Sequence, residues 1–273
     1  MIAPTAEWQV LGACNYACDY CIQSAARRRG TPRPDQVDAA LTALATLPGA
    51  WEVKCSGGEV FAFPPFLGRI VPFLVERTPH GISVLTNFSS PPADLQRFAE
   101  ATRGRLRVFS ASLHPRQAPL EDFAAKAAWF RDLLDPGVDF VVNQVVLPGR
   151  EAEARAGRDA MEVRGIRWFP QVLKVDGGLA AYPDPAALEG LLGGRRANRA
   201  PSFRGRRCLA GVHYFTVDRE GVAWSCRAAR RRGEGRLGSL FDGTLALWTA
   251  GRPCPYDLCP CSVPAHRGIV EAA

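Results

Sequence analysis

Three cysteines in a segment of eight residues constrain this chain more than any other feature of its sequence. Cys14, Cys18 and Cys21 follow a short apolar segment, Trp8 to Leu11, and are separated by three and then two residues. Thiolates at this spacing can bind one metal centre from a single loop, and thiolate ligands select iron–sulfur clusters or zinc. Structural zinc usually has four protein ligands, whereas a four-iron cluster bound by three cysteines keeps one iron open. The loop therefore predicts a metal centre with a reactive position.

The composition is that of a globular chain without a membrane span. Of 273 residues, 47% are hydrophobic and 22% are charged, which excludes a disordered chain. Apolar runs such as Ile70 to Val75 are interrupted by Pro72, and the N-terminus lacks the pattern of a signal peptide. Nine cysteines, an odd number, favour metal ligands over disulfides in a chain with no export signal. We expect a cytoplasmic protein.

The net charge of +7 comes almost entirely from arginine, because lysine occurs only at positions 54, 126 and 174. Two arginine runs, residues 27–29 and 230–232, have no nucleic-acid-binding motif beside them. They are interpreted as solvated loop charge. We therefore predict no nucleic-acid partner.

Short β-type segments alternate with longer helical patterns as far as about residue 175. The expected strands are Trp8–Leu11, Trp51–Cys55, Ile82–Thr86, Leu106–Ser110, Phe140–Val146 and Ile166–Val172. The expected helices are Pro34–Leu47, Pro65–Arg77, Ala93–Ala101, Leu120–Leu134 and Glu151–Val163. This alternation predicts parallel strands with right-handed crossovers, in an incomplete or closed barrel of the α/β class. Reactive groups should lie at the C-terminal ends of its strands.

Polar residues fall at those strand ends. The expected ring around the barrel mouth consists of Cys14, Ser56, Gly57, Gly58, Glu59, Asn87, Ser110, Ser112, His114, Asn143, Gln144, Gln171 and Lys174. Two adjacent glycines let the backbone approach a ligand closely. The carboxylate of Glu59 can pair with an ammonium group.

The motif Cys14-x3-Cys18-x2-Cys21, with Tyr20 before the last cysteine and Ser56-Gly57-Gly58-Glu59 further on, resembles the radical S-adenosylmethionine superfamily. The resemblance covers roughly residues 8–175 and implies a partial (β/α)6 TIM-like barrel. It implies a [4Fe-4S] cluster whose open iron is chelated by the amino and carboxylate groups of S-adenosylmethionine. It also implies that the reduced cluster cleaves this cofactor to a 5′-deoxyadenosyl radical, which abstracts hydrogen from a substrate. A flavodoxin- or ferredoxin-type protein is the implied reductant.

The same resemblance implies roles for individual residues. The turn at Gly57, Gly58 and Glu59 would hold the methionine end of the cofactor, and Tyr20 would lie beside the adenine. Further contacts to the ribose or carboxylate are expected from Asn87, Ser110, Ser112 and Asn143.

A second group of cysteines lies near the C-terminus: Cys208, Cys226, Cys254, Cys259 and Cys261. Residues 213–217 and 222–225 alternate in the manner of a β-hairpin with Gly221 in its turn, which would bring Cys208 and Cys226 together. The arrangement resembles twitch or SPASM extensions of radical S-adenosylmethionine enzymes and implies one auxiliary [4Fe-4S] cluster bound by four of the five. Zinc remains the alternative, because four thiolates also form a good tetrahedral zinc site.

These features divide the chain into a barrel (residues 1–175), a linker with a short helix at Pro185–Leu192 (residues 176–205) and a small cysteine-rich α+β extension (residues 206–273). A further short helix is expected from Thr244.

The leading functional hypothesis is an oxidoreductase of the dehydrogenase type, in which the second cluster accepts an electron from the substrate. Residues 235–243 and 254–261 are similar to segments of radical enzymes associated with glycan biosynthesis, which favours a carbohydrate or nucleotide-linked small molecule. Candidate bases are His114, His213 and Lys174. Cys55 is either a buried thiol or the hydrogen donor that an epimerase needs.

Two alternatives remain. One is a peptide maturase or epimerase of the same superfamily, although the first expected strand begins too close to Met1 for a leader-recognition domain. The other is a non-catalytic iron–sulfur or zinc-binding protein, for which neither the glycine turn nor the polar ring is needed.

Overall fold

Six parallel strands with intervening helices form the first part of the structure, a computed structural model that describes residues 4–23, 25–26, 28–175, 178–193, 202–257, 259 and 267–271. The strands are β1 (Thr5–Leu11), β2 (Glu52–Gly57), β3 (Gly81–Thr86), β4 (Leu106–Leu113), β5 (Asp139–Val146) and β6 (Arg167–Val172). The helices are α1 (Pro34–Ala45), α2 (Val71–Arg77), α3 (Pro92–Ala101), α4 (Leu120–Leu133) and α5 (Glu151–Glu162). The strands pair in chain order, which confirms the expected βα architecture.

The two faces of this sheet differ in burial. On the outer face, Phe109 of β4 packs against Phe98 of α3 and Phe130 of α4, and the helices exclude water from it. The inner face carries the alternate residues, including Gln9 and Ser56, which are only half-buried. Parts of the inner face are therefore accessible to solvent, as expected of a partial barrel.

The C-terminal part continues the same sheet. Shorter elements follow β6: strands β7 (Lys174–Val175) and β8 (Gly178–Leu179), helix α6 (Pro185–Leu192) and strand β9 (Arg207–Cys208). After these come β10 (Tyr214–Val217), β11 (Val222–Trp224), helix α7 (Arg227–Arg232), β12 (Arg236–Ser239) and β13 (Arg252–Pro253). Strand β10 pairs in parallel with β1, and β11 and β12 extend the sheet antiparallel, in the order β12-β11-β10-β1-β2-β3-β4-β5-β6. The predicted hairpin is confirmed, with Gly221 at φ +80° in its turn.

Two local expectations were wrong, and one expected helix is present with a different first turn. The segment from Thr244 is not helical, because Ala246 N–H and Trp248 N–H donate to the carbonyls of Leu237 and Gly211 instead of to their own turn. Residues 230–232 end α7 and are not a loop. The helix expected over Pro65–Arg77 begins with a π turn at Phe66–Ile70, since Pro72 has no N–H with which to continue a regular α-helix.

Glu7 joins the C-terminal segment to the barrel. Its carboxylate is 3% exposed on the inner face of β1, and it accepts from the Tyr214 hydroxyl at 2.5 Å and from Arg227 Nε at 3.1 Å. Lys54 Nζ lies 3.5 Å from its other oxygen. Burial alone would raise the pKa of Glu7, but Arg227, Lys54 and the Tyr214 hydroxyl outweigh it and hold the pKa at about 2. Glu7 is therefore a fixed anion and not a proton carrier.

We expect Glu7→Gln to lower the free energy of unfolding by about 2 kcal/mol at neutral pH, because it leaves the half-buried Lys54 and the partly exposed Arg227 without the buried carboxylate that they pair with. The folded pKa lies below the ordinary value of 4.5, so this stabilisation is present above pH 4.5 and is lost only as the pH falls towards 2. Anaerobic urea unfolding should give the same difference between the two proteins throughout the neutral range. Glu220→Gln, which alters an exposed carboxylate beside Arg219, is the control; an equal loss in both variants would contradict the role of Glu7.

No helix in the described part of the chain is both long and apolar enough to cross a lipid bilayer.

Candidate active site

The three-cysteine loop begins where β1 ends. Cys18 is buried, and Cys14 and Cys21 are half-buried; all three are free thiols. Backbone N–H groups point at two of the sulfurs: Tyr16 N lies 3.4 Å from Cys14 Sγ, and Gln23 N lies 3.4 Å from Cys21 Sγ. Burial raises the pKa of Cys14 and Cys18, and the neighbouring thiols raise it further.

This donor set fits an iron–sulfur cluster. Three thiols influence one another electrostatically within one loop, and N–H groups directed at sulfur are the contacts that tune ligating thiolates. No three His, Cys, Asp or Glu side chains among the described residues converge on a position for a single metal ion.

The glycine turn interlocks with the cysteine loop. Gly58 N–H donates to the Leu11 carbonyl at 3.0 Å, and Glu59 N–H donates to the Ala13 carbonyl at 2.9 Å. A Cβ on Gly58 would lie 1.9 Å from the Ala13 oxygen, and one on Gly57 would lie 2.7 Å from Leu11. Glycine is required at both positions because the two backbones touch, a reason that the sequence did not reveal.

The Glu59 carboxylate stabilises the glycine turn by accepting three hydrogen bonds. Its carboxylate is fully buried and accepts hydrogen bonds from Phe61 N–H at 3.1 Å, Thr86 Oγ1 at 2.7 Å and Asn87 N–H at 2.5 Å. Burial raises the pKa of Glu59, while these hydrogen bonds and Lys126 oppose the rise. Both carboxylate oxygens thus bind donors of the chain itself.

Asn87 connects this carboxylate to the cysteine loop. Its side-chain amide nitrogen donates to Asn15 Oδ1 at 2.8 Å and lies 3.8 Å from Cys14 Sγ. The next residue, Phe88, is buried in the left-handed conformation at φ 61°, which is strained for a non-glycine residue. Lys126 Nζ donates to the carbonyls of Phe88 and Ser90 at 2.8 and 2.5 Å, which holds the backbone in this conformation.

The sequence did not predict roles for Thr86 and Lys126. For Lys126, the rarity of lysine in the chain was the one available signal.

Tyr20 and His114 form a polar pair beside Cys18. The Tyr20 hydroxyl lies 2.7 Å from His114 Nδ1, and the same nitrogen lies 3.7 Å from Cys18 Sγ. Burial lowers the pKa of His114 to about 4, and burial raises that of Tyr20. The structure therefore brings His114 to Tyr20 and Cys18 of the cysteine loop.

Several other predicted site residues line the inner face. Ser110, Ser112 and Asn143 share that face in adjacent registers, and Gln171 Nε2 lies 3.4 Å from Asn143 Oδ1. Lys174 follows β6 and belongs to β7.

Three residues do not lie in the mouth. Gln144 was expected there, but it is on the outer face, where its oxygen accepts from Trp168 Nε1 at 3.1 Å. His213 is exposed beside the N-terminal end of β1, and its carbonyl accepts from Thr5 N–H. Cys55 is paired in register with Val84 on the outer face and is 0% exposed. The hydrogen-donor interpretation of Cys55 has no support in this geometry, because the sheet separates the thiol from the mouth.

We expect Cys55→Ala to retain the iron content of the wild-type protein and to lower the free energy of unfolding by about 1 kcal/mol, since it removes one buried atom. Burial raises the pKa of this thiol to about 12, so the native protein should also resist alkylation at Cys55. Peptide mapping after treatment with iodoacetamide measures this. Rapid labelling of Cys55 in the folded protein would refute its placement.

The C-terminal cysteines gather around one small core. Cys254 is buried with Phe203 and Tyr256, and Cys208, Cys226 and Cys259 are partly buried against the same core. Cys226 also begins α7, where its sulfur accepts from Ala229 N–H at 3.4 Å. Cys261 lies outside the described residues. Four of the five predicted auxiliary ligands are thus brought together.

Comparisons with solved structures identify the fold. The chain matches anSMEcpe with bound AdoMet at 14% identity and a TM-score of 0.59, covering 88% of this chain and 78% of that one. It matches SuiB from Streptococcus suis at 13% identity and a TM-score of 0.63, covering 88% and 64%. BtrN in complex with AdoMet and 2-DOIA matches at 16% identity and a TM-score of 0.51, covering 89% and 80%.

No protein-family model matches the sequence, and the search of curated proteins returned no match. The matched structures and the two cysteine groups nevertheless point to the same fold. The chain has the fold of the radical S-adenosylmethionine enzymes that carry a SPASM or twitch extension.

Proposed function

We propose that the chain is a radical S-adenosylmethionine oxidoreductase that removes hydrogen from a small-molecule substrate, of the carbohydrate or nucleotide-linked class. The observation that carries this proposal is the interlock between the cysteine loop and the glycine turn, in which Gly58 and Glu59 donate to the carbonyls of Leu11 and Ala13. A metal-binding protein without a cofactor beside the metal needs no such turn.

Cys14, Cys18 and Cys21 would bind a [4Fe-4S] cluster with one open iron. When bound, the cluster supplies the electron for reductive cleavage of S-adenosylmethionine, and a flavodoxin- or ferredoxin-type protein is the proposed source of that electron. The chain's own residues orient the cofactor. Because both oxygens of Glu59 already bind protein donors, we assign Glu59 to holding the turn, and the backbone of Gly57 and Gly58 to the methionine end.

The remaining residues divide into cofactor and substrate contacts. Tyr20 belongs to the cysteine loop and Asn87 lies beside it. Both are proposed to contact the cofactor. Ser110, Ser112 and Asn143 lie on the inner face, Ser112 half-buried and the other two buried, where they are proposed to donate to a ribose or to a substrate hydroxyl. His114 and Lys174 are the proposed bases, since His114 lies beside Tyr20 and Cys18 and Lys174 follows the C-terminal end of β6.

An auxiliary [4Fe-4S] cluster is proposed at Cys208, Cys226 and Cys254, with Cys259 or Cys261 as the fourth ligand. Its role is to accept the second electron when substrate is oxidised. Iron and sulfide analysis tests this: about eight irons per chain supports two clusters, whereas about four irons with one zinc supports a zinc extension.

A peptide maturase is the second candidate. SuiB has been solved bound to precursor peptide SuiA and anSMEcpe with bound AdoMet and Kp18Cys peptide, whereas BtrN was solved with 2-DOIA. The fold thus accommodates both kinds of ligand.

Deuterated substrates test the proposal and separate its two forms. The reduced protein is incubated anaerobically with S-adenosylmethionine and either deuterated sugars and sugar nucleotides or deuterated peptides. Deuterium in 5′-deoxyadenosine from the first group supports the proposal, and deuterium only from peptides supports the maturase. Deuterium in 5′-deoxyadenosine together with a solvent-derived hydrogen in a product of unchanged oxidation state would indicate an epimerase instead.

A further inference from the structure

The loop between β3 and α3, residues 87–90, contacts the cysteine loop through a ring of hydrogen bonds. Asn87 Nδ2 donates to Asn15 Oδ1 at 2.8 Å, and its second hydrogen is available to Cys14 Sγ, 3.8 Å away. Asn15 Nδ2 donates in turn to Ser89 Oγ at 2.8 Å, and Ser89 N–H donates to Asn87 Oδ1 at 3.0 Å. The nitrogen and the oxygen of the Asn87 amide are both engaged, so its orientation towards Cys14 is fixed.

This ring depends on the backbone of Phe88, which joins Asn87 to Ser89. Phe88 has a φ of 61°, a left-handed conformation that is rare for a bulky side chain. Its side chain is 2% exposed and packs against Phe109, Phe123 and Phe130. A left-handed residue persists only where surrounding contacts stabilise it, so the groups that bind this backbone also determine where the Asn87 amide points.

Lys126 of α4 supplies two of these contacts. Its Nζ donates to the carbonyls of Phe88 and Ser90 at 2.8 and 2.5 Å and lies 4.8 Å from the centre of the Phe88 ring. Hydrogen bonds from a charged donor are stronger than those from a neutral one. Glu59 holds the preceding residue, because its carboxylate accepts from Asn87 N–H at 2.5 Å, and it attracts Lys126 electrostatically. Charged side chains therefore hold the loop at both ends.

We propose that Lys126 is a positioning residue for the N-terminal cluster: by holding residues 88–90 it directs the Asn87 amide at Cys14 Sγ and so raises the reduction potential of the cluster. This rests on the proposed function, because it concerns the cluster of the same site. A hydrogen bond to a ligating sulfur withdraws electron density and favours the reduced form. The charge of Lys126 is opposed by Glu59, so Asn87 transmits the larger part of the effect.

A redox titration tests this without turnover. The fully loaded protein is titrated anaerobically in the absence of S-adenosylmethionine and followed by electron paramagnetic resonance, in which the signal that Cys18→Ala lacks belongs to the N-terminal cluster. We expect Lys126→Met to shift the midpoint potential of this cluster to a lower value, and Asn87→Ala to shift it by a similar amount. The double variant should shift no further than Asn87→Ala alone, because the two substitutions remove the same contact. Lys126→Arg keeps the charge and the donors and should restore most of the wild-type potential.

Arg131→Met is the matched control. Arg131 also lies on α4 and donates to a backbone carbonyl, that of Arg164, but this carbonyl precedes β6, at the end of the sheet opposite the cysteine loop. The control should keep the wild-type potential. If Lys126→Met takes up too little iron to titrate, Lys126→Gln replaces it in the same comparison.

An unchanged potential in either single variant, or shifts that add fully in the double variant, overturns the proposal. Formation of 5′-deoxyadenosine is measured separately in the wild-type protein. The expected shifts without this product would refute the proposed function alone, and product formation with unshifted potentials would refute this inference alone.

Discussion

Replacing Cys18 with alanine is expected to abolish the N-terminal cluster and to remove roughly half of the iron in a protein that holds two four-iron clusters. The loop has three thiols for the cluster and none to spare, and Cys18 is the most buried of them at 8% exposure. Arg28 Nη1 donates to its carbonyl at 3.0 Å, which helps to hold the loop backbone at this position. Iron analysis together with electron paramagnetic resonance of the reduced protein measures the loss.

The matched control for this experiment is Cys55→Ala. It removes a cysteine from the same half of the chain, but from the outer face of the sheet, so its iron content and spectrum should match the wild type. A Cys18→Ala protein that retains all of its iron and an unchanged spectrum would show that the loop is not the ligand set.

Gly58→Ala is expected to have the second large effect. The added Cβ would lie 1.9 Å from the Ala13 oxygen and 2.5 Å from the Gly12 oxygen, and backbone atoms cannot move aside as a flexible side chain can. We expect the free energy of unfolding to fall by about 3 kcal/mol. The cysteine loop must also separate from the turn, so S-adenosylmethionine should no longer alter the spectrum of the reduced cluster.

Gly68→Ala is the control for this substitution. A Cβ on Gly68 meets nothing within 4 Å, and this glycine lies in the π turn before α2, remote in sequence from the interlock. Its stability should change by less than about 1 kcal/mol. Equal behaviour of the two variants would mean that the interlock does not determine the geometry of the site.

Local patterns predicted the strands and helices of the barrel and the clustering of its polar ends, because each of these depends on periodicity within one segment. They did not predict on which face a residue lies. A shift of one residue moves a side chain to the other face of the sheet. Gln144 was therefore expected at the mouth but lies among the helices, and of the two interpretations of Cys55 the buried thiol is the one that the structure supports.

The sequence also did not predict contacts between residues that are distant along the chain. The carbonyls that Lys126 binds belong to Phe88 and Ser90, more than thirty residues earlier. The segment after Thr244 has its backbone partners in Leu237 and Gly211. In the second case tertiary contacts override local propensity, and in both cases the partners are distant in sequence, where a local pattern does not indicate them.

Formation of 5′-deoxyadenosine tests the central claim most directly. The reconstituted protein is reduced anaerobically with S-adenosylmethionine and the candidate substrates, and methionine and 5′-deoxyadenosine are quantified over time. We predict equal amounts of both products from the wild-type protein, and neither above background from Cys18→Ala. A fully loaded protein that yields no 5′-deoxyadenosine under any of these conditions would contradict the claim that the cysteine loop and the glycine turn form a radical S-adenosylmethionine site.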